Sequence, residues 1–391
     1  MTNAVIVDVV RTPSGRGKPG GALSGVHPVD LAATTLTALL ERNGLESRQI
    51  DDVLMGCVSQ VGDQTGNVAR QAVLAAGFDH TVPAVSIDRQ CGSSQQAAHF
   101  AAQGVIAGAY DIVIAAGVES MSRVPLGSAG RGGLDAEGIQ RRYPEGLVNQ
   151  GVSAELIAAR WGLEREELDA YAAQSHERAA DAAAQGRFAA DLLAVETPHG
   201  AVTVDETIRP GTTTEQLAGL APAFRTDELA ERFPDLDWRV TAGNSSPLTD
   251  AASAALIMSE ERAAALGLTP RARFHAFAVV GDDPVMMLTA PIPATRRILE
   301  RAGLSIDDLD AYEVNEAFAS VPLAWQSELH ADPTKLNPWG GALALGHAVG
   351  ASGTRLLGTL LAVLEHTGGR YGLQTMCEGG GMANATIIER L

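Results

Sequence analysis

Two cysteines and one histidine stand in surroundings suited to chemistry. Cys91 lies in Asp88-Arg89-Gln90-Cys91-Gly92-Ser93-Ser94, between an apolar run and a small-residue segment. Strand, Cys, Gly-Ser-Ser and helix would set the sulfur at a helix N-terminus, where the macrodipole and free N–H groups favour thiolate over thiol. The same N–H groups suit an oxyanion. Cys377 ends an apolar run and precedes Glu378-Gly379-Gly380-Gly381. Glycines there let backbone approach a ligand closely, or simply turn a hairpin. His347 sits among Gly340, Gly341, Gly346 and Gly350. One thiol can act as nucleophile and the other as acid/base, with the histidine tuning them. Asn315, in Asn315-Glu316-Ala317-Phe318, follows a strand end, where open α/β sheets place their sites. It reads equally as a helix N-cap. The competing reading for each cysteine is a buried structural residue, and that is our reading of Cys57. No local Cys/His pair spacing suggests a zinc site.

The elements that must position these residues read as α/β. Apolar runs at 4–10, 53–58, 82–87 and 111–117 predict strands, and periodic segments at 29–40, 67–76 and 93–107 predict helices. This alternation argues for a largely parallel sheet. Between 122 and 246 the chain carries Gly, Pro and Arg clusters and no long apolar run. One helix is clear there, with Leu168, Tyr171, Ala172, Ser175 and Ala179 on one face. We read this stretch as a large insertion. The α/β rhythm returns after 270, with strands at 310–314, 373–377 and 385–388 and a helix from Ser352. Each half sets a reactive residue in a tight turn between apolar segments, which suggests a duplication.

The chain of 391 residues is 46% hydrophobic and 19% charged, values of a globular enzyme with ample core. A formal net charge of −18 argues against nucleic acid or an anionic membrane surface as partner. Any anionic ligand must be held by a few local cations and backbone N–H groups. Three cysteines far apart fit a reducing compartment. With no signal-like N-terminus and no long apolar span, we expect a cytoplasmic protein.

Together these motifs resemble the thiolase family. The resemblance spans the chain: Arg11-Thr12-Pro13, the Cys91 turn, Gly117-Val118-Glu119-Ser120-Met121-Ser122, Thr241-Ala242-Gly243-Asn244-Ser245-Ser246, Asn315-Glu316-Ala317-Phe318-Ala319, and the His347 and Cys377 segments. It implies an α/β thiolase fold: two duplicated mixed-sheet halves in a layered αβαβα sandwich with an inserted loop domain. The halves would be 1–119, completed by 247–268, and 269–391, with a CoA-binding insertion at 120–246. It implies that Cys91 is the acylated nucleophile and that His347 activates it. Cys377 would exchange a proton with the acetyl-CoA enolate. Asn315 would hold a water that completes one oxyanion site with His347, and the N–H groups of Cys91 and Gly379 would form the other. Each thiol would need a pKa near working pH, because the reaction is reversible. Arg209, Phe224 and Ser246 match positions that hold CoA, and Phe318 lies in a matching motif. CoA would be a co-substrate, with no tightly bound cofactor and no metal. The resemblance also implies a homodimer, often paired into a tetramer through a segment matching 126–145.

Three departures from the family pattern stand near the site. Ser94 replaces an expected Gly, Ala348 an expected Pro, and Glu378 a small or apolar residue. Strand alternation should turn Glu378 away from the face of Cys377. A fourth departure bears on substrate. Short-chain members resemble His-Met-Gly where this chain has Asn149-Gln150-Gly151. Loss of that bulk favours a degradative enzyme for longer or bulkier acyl groups, unless Met286, Met287 or Leu288 refill the space. Actinobacterial thiolases of sterol side-chain degradation resemble the Asn-Gln pattern. The alternatives are a biosynthetic acetyl-CoA acetyltransferase and a non-catalytic acyl-CoA-binding protein. A decarboxylating condensing enzyme would have histidine in place of Cys377.

Overall fold

β-Branched and apolar residues build the first strand, β1 (Ala4–Arg11), buried along its whole length. The computed structural model describes residues 2–391 except Arg131. The other strands are β2 (Gly15–Arg16), β3 (Asp52–Gly56), β4 (Ala84–Ile87), β5 (Ile112–Ser120), β6 (Thr249–Ser259), β7 (Ala272–Gly281), β8 (Ala311–Val314), β9 (Tyr371–Glu378) and β10 (Met382–Arg390). Helices of eight residues or more are α1 (Pro28–Asn43), α2 (Val68–Ala75), α3 (Ser93–Ile106), α4 (Gln150–Trp161), α5 (Arg165–Ala184), α6 (Pro291–Ala302), α7 (Ser320–Leu329) and α8 (Ser352–Thr367). Pro28 opens α1 and Gly44, at φ 62°, closes it.

The strand order is β4-β3-β5-β6-β1-β7-β10-β9-β8. The two halves repeat one pattern. β3 runs parallel to β5, which is antiparallel to β6, which is antiparallel to β1. In the second half β8 runs parallel to β9, β9 antiparallel to β10, and β10 antiparallel to β7. Within the sheet the halves join where Val5 and Ile6 of β1 meet Arg273 and Ala272 of β7. Alternation along the strands sends side chains to three layers. One face of the first half packs on α1 and α2. The inner faces of both halves pack on α3 and α8. The outer face of the second half packs on α6, α7 and α5. That is the αβαβα order expected from the resemblance.

Three expectations need correction. The first is the largely parallel sheet: only β3–β4, β3–β5 and β8–β9 pair parallel, and the other strand pairings are antiparallel, because hairpin-like and cross-half pairings dominate the centre. The stretch at 249–259 is alanine-rich and carries no strand signal of its own, yet it is a central strand bonded to β1 and β5 on either side. Tertiary pairing there overrides weak propensity. The insertion holds two long helices rather than one, because α4 begins at Gln150. Its signal is weak, since small residues dominate it. The residues of α5 named above are all buried, as their spacing indicates. No helix among the described residues is long and apolar enough to cross a membrane.

Candidate active site

Each half sets a reactive side chain just before its inner helix: Cys91 before α3, and His347 before α8. Close backbone packing brings these helix N-termini together. A Cβ on Gly353 would overlap the Gln95 backbone, and one on Gly117 would overlap the Gly350 carbonyl. Gln90, just before the nucleophile candidate, is held at φ 49°, with its N–H donated to Asp88 Oδ1 at 2.7 Å. A non-glycine residue at positive φ stores strain that a site can use.

Cys91 is 4% exposed. Its own N–H, the Gly379 N–H and the Gln150 side chain stand on the side of the sulfur's charged form. These favour thiolate, but burial outweighs them, and Glu378 adds to it, pushing the thiol up to about 12. The thiolate expected at the helix N-terminus is therefore not the resting state. Cys377, 1% exposed, lies well above the ordinary thiol range, through burial first and then through Cys91 and Glu378. Neither thiol rests near neutral pH, contrary to expectation. In a dry site desolvation exceeds the gain from a few dipoles.

His347 is neutral, its pKa lowered to about 3 by burial and by the Arg355 charge. Its tautomer follows from its neighbours. Ser352 Oγ donates its only proton to Ala348 O at 2.9 Å. Ser352 must then accept from His347 Nδ1–H, at 2.7 Å. Nε2 is left with a free lone pair, faced by Asn315 Nδ2 at 3.5 Å. Asn315 is buried, and its Oδ1 has no partner among the described residues. A base with its lone pair directed by a second hydrogen bond is the arrangement that proton abstraction needs.

Cys377 packs with Met287, Leu288, Ala317 and Phe318, on Ala154 and Ile157 of α4. Met287 sits at φ 43°. Phe224 packs edge-to-face on Phe318, at 5.8 Å between centroids, and covers Gly151, where a Cβ would overlap its ring. Ser246 N–H donates to Ala317 O at 3.0 Å. Gln150 reaches Cys91, but Asn149 does not share its role: it is exposed and caps α4, accepting from the Val152 N–H at 3.1 Å. Arg209 is exposed, its N–H donated to His176 Nδ1 at 3.1 Å. Gly379 opens the β9–β10 turn, with Gly380 and Gly381 at φ 85° and 78°. The hairpin reading of this turn is met.

Comparison with known proteins identifies this arrangement. Residues 4–261 match the thiolase N-terminal domain, and residues 268–390 the thiolase C-terminal domain. The chain belongs to the thiolase family. It is 48% identical over its whole length to a steroid 3-ketoacyl-CoA thiolase of Mycobacterium tuberculosis, covering 95% of that protein. It is 43% identical to a 3-ketoacyl-CoA thiolase of Saccharophagus degradans, covering all of this chain and 98% of the relative. The crystal structure of the acetyl-CoA acetyltransferase of Bacillus anthracis superposes with a TM-score of 0.88 at 37% identity, covering 100% of this chain and 99% of the other.

Sequence reasoning missed two carboxylates that tie this thiolase's site together. Glu316 accepts from Tyr171 Oη at 3.0 Å, Ser175 Oγ at 2.6 Å, Asn337 Nδ2 at 3.0 Å and Leu343 N–H at 3.1 Å. It thereby ties α5 of the insertion to the Asn315 and His347 segments. Glu119 accepts from the N–H groups of Val58, Ser59 and Gly350 and from Gln64 Nε2. Both lie inside motifs quoted above without a role assigned to them, and their only signal was an acidic residue at a strand end.

Proposed function

We propose that this thiolase cleaves 3-ketoacyl-CoA with free CoA through an acyl-enzyme on Cys91. The observation that carries the reading is the convergence of two helix N-termini, one carrying the buried Cys91 and the other His347 with its ring held between Ser352 and Asn315. The order of proton movements follows from the resting states. A neutral thiol stands with a neutral imidazole, so the Cys91 proton passes to His347 Nε2 as the sulfur attacks the substrate's C3 carbonyl. The oxyanion is received by donors on one side of the site. The C2–C3 bond then breaks, and the Cys377 thiol gives its proton to the acetyl-CoA enolate carbon. The Cys377 thiolate next takes the proton of incoming CoA, whose sulfur attacks the acyl-Cys91 thioester. Cys91 leaves as thiolate and recovers its proton from His347. Both thiols return to their starting states, as a reversible ping-pong reaction requires. Asn315 Oδ1, without a protein partner, suits the water of the second oxyanion site.

CoA is the co-substrate. The exposed Arg209 supplies a local cation in an acidic chain, and Phe224 and Ser246 flank the path toward Cys377. The acyl chain meets Gln150, Phe318 and Met287. Names of relatives favour a degradative 3-ketoacyl-CoA substrate, including steroid-derived ones. The second reading, synthesis of acetoacetyl-CoA, is favoured by the likeness to an acetyl-CoA acetyltransferase and by Met287 and Leu288 against Cys377. Thiolysis of a graded series of 3-ketoacyl-CoA thioesters decides between them. A specificity constant that rises about fourfold per added carbon, the effect of ~0.8 kcal/mol per buried methylene, supports the degradative reading. Rates highest for acetoacetyl-CoA and falling with length would replace it by the biosynthetic one.

A further inference from the structure

Glu378 is the residue whose surroundings the reaction above leaves unused. It is fully buried, and neither carboxyl oxygen has a hydrogen-bond partner among the described residues. Alternation along β9 does turn it away from the face of Cys377, as expected. That other face is not remote. Met376, two residues earlier on the same face, shares a buried cluster with Cys91. Asn384, paired with Met376 across the hairpin, donates to Gln96 of α3 at 3.2 Å. The carboxyl group fills the space left by the missing side chain of Gly92, where any Cβ would overlap its Oε1. Glu378 therefore lies at the N-terminal end of α3, one residue from the Cys91 sulfur.

From this placement we propose that Glu378 is an electrostatic positioning residue for Cys91: it stays neutral while the enzyme works, and its ionisation suppresses formation of the Cys91 thiolate. The proposal rests on Cys91 being the nucleophile. The ionisable groups facing the carboxyl are few. The turn before α3 contributes Arg89 and Asp88, of opposite sign. Cys91 and Cys377 are the two thiols, and both feel the carboxylate as a like charge. From β10 comes the neutral backbone N–H of Asn384. Burial dominates and raises the carboxyl to about 8, with Asp88 adding to it and Arg89 opposing. The sign then follows. Below about pH 8 the group is a neutral acid and leaves Cys91 unaffected. Above it, a negative charge beside Cys91 makes each further loss of a thiol proton harder.

The experiment is carbamidomethylation of Cys91 by iodoacetamide from pH 6 to 10, read on the Cys91 peptide by mass spectrometry. Full-length wild type is compared with E378Q and with the apolar E378M. Below pH 7 all three should react alike within about twofold. Above pH 8.5 both variants should react roughly three- to tenfold faster, since a coupling of one pKa unit is tenfold in thiolate. Superposed curves would overturn the proposal. Should neither variant fold, the wild-type curve alone decides: a break near pH 8 in the rise of rate with pH supports the proposal, and an unbroken rise from pH 6 to 10 removes it. Thiolytic turnover measured in parallel separates this from the functional reading. A pH effect on Cys91 alkylation without any thiolysis would leave Glu378 in its role and sink the thiolase reaction.

Discussion

His347 works as a base only if its Nε2 carries the lone pair, and Ser352 at 2.7 Å from Nδ1 is the closer of the two neighbours that decide it. The hydroxyl proton is committed to Ala348 O, so the ring must donate from Nδ1. Ser352→Ala removes this acceptor and frees the other tautomer. Steady-state kinetics should show kcat lowered by about a hundredfold, the lower end of general-base contributions, with KM for the ketoacyl substrate little changed. A change confined to KM would mean that Ser352 serves binding instead. Cys91→Ala should abolish turnover, and acetyl-CoA should label Cys91 and no other residue of wild type, read by peptide mass spectrometry. A label on Cys377 would exchange the two thiols' roles. The residue types proposed for this chemistry were legible in the chain, because Cys, His and Asn beside glycines limit the possibilities. Their protonation states were not. A helix N-terminus pulls Cys91 toward thiolate, yet burial and Glu378 together push it to about 12. The balance depends on solvent exclusion, which no local pattern records.

The two inner helices, α3 and α8, carry Cys91 and His347, the proposed nucleophile and base, just before their N-termini. Gly353 is where α8 meets the Gln95 backbone of α3. Gly353→Ala would insert a methyl group into that contact with no flexible partner to yield. Overpacking of this kind costs about 1–3 kcal/mol. Urea unfolding should show that loss, and turnover should fall beyond what stability explains, because Cys91 and His347 would be forced apart. Unchanged activity in the folded variant would show that the helices are free to adjust. Elements with strong periodicity, such as α1, α3 and α8, were legible within a few residues of their ends. β6 was not, because Ala251 to Ala255 acquire strand geometry only from pairing with β1 and β5. The capping role of Asn149 was not legible for a related reason. A helix cap and a pocket wall look alike until the start of α4 is known.

Across the whole molecule, buried ionisable groups oppose one another in their effect on stability. His99 and His347 are lowered to about 3 and His176 to about 4, chiefly by burial. In the unfolded chain they bind protons near pH 6.5, so stability falls as pH drops below that value, by about 1.4 kcal/mol per unit for each group. Glu313 and Glu378 are raised to about 8, again by burial. They favour the fold in acid, and that contribution is lost as pH rises from about 4.3 to 8. Urea midpoints from pH 5 to 9 should therefore peak near pH 6, and E378Q should flatten the alkaline fall. A peak above pH 8 would show that these groups do not govern stability. Assembly belongs to this scale as well. β4 is an edge strand with Val85 42% exposed, and Phe100 of α3 and Leu74 of α2 are 44% and 52% exposed. Unpaired backbone and apolar side chains suit pairing with a second copy. Light scattering at micromolar concentration should show a homodimer, and a monomer would refute it. The segment at 126–145, described except for Arg131, is mostly exposed and carries few apolar residues, so a tetramer rests on it only weakly. By itself the sequence determined which groups can react, which segments alternate or coil, and that two halves each present a reactive turn. These are local properties, set by side-chain type and backbone period. Tertiary structure decided that the far side of β9 is the near side of Cys91, that Glu316 joins the insertion to the His347 segment, and that both thiols rest protonated. Each depends on which surfaces close over which groups, and that is settled only when the layers pack and water is excluded.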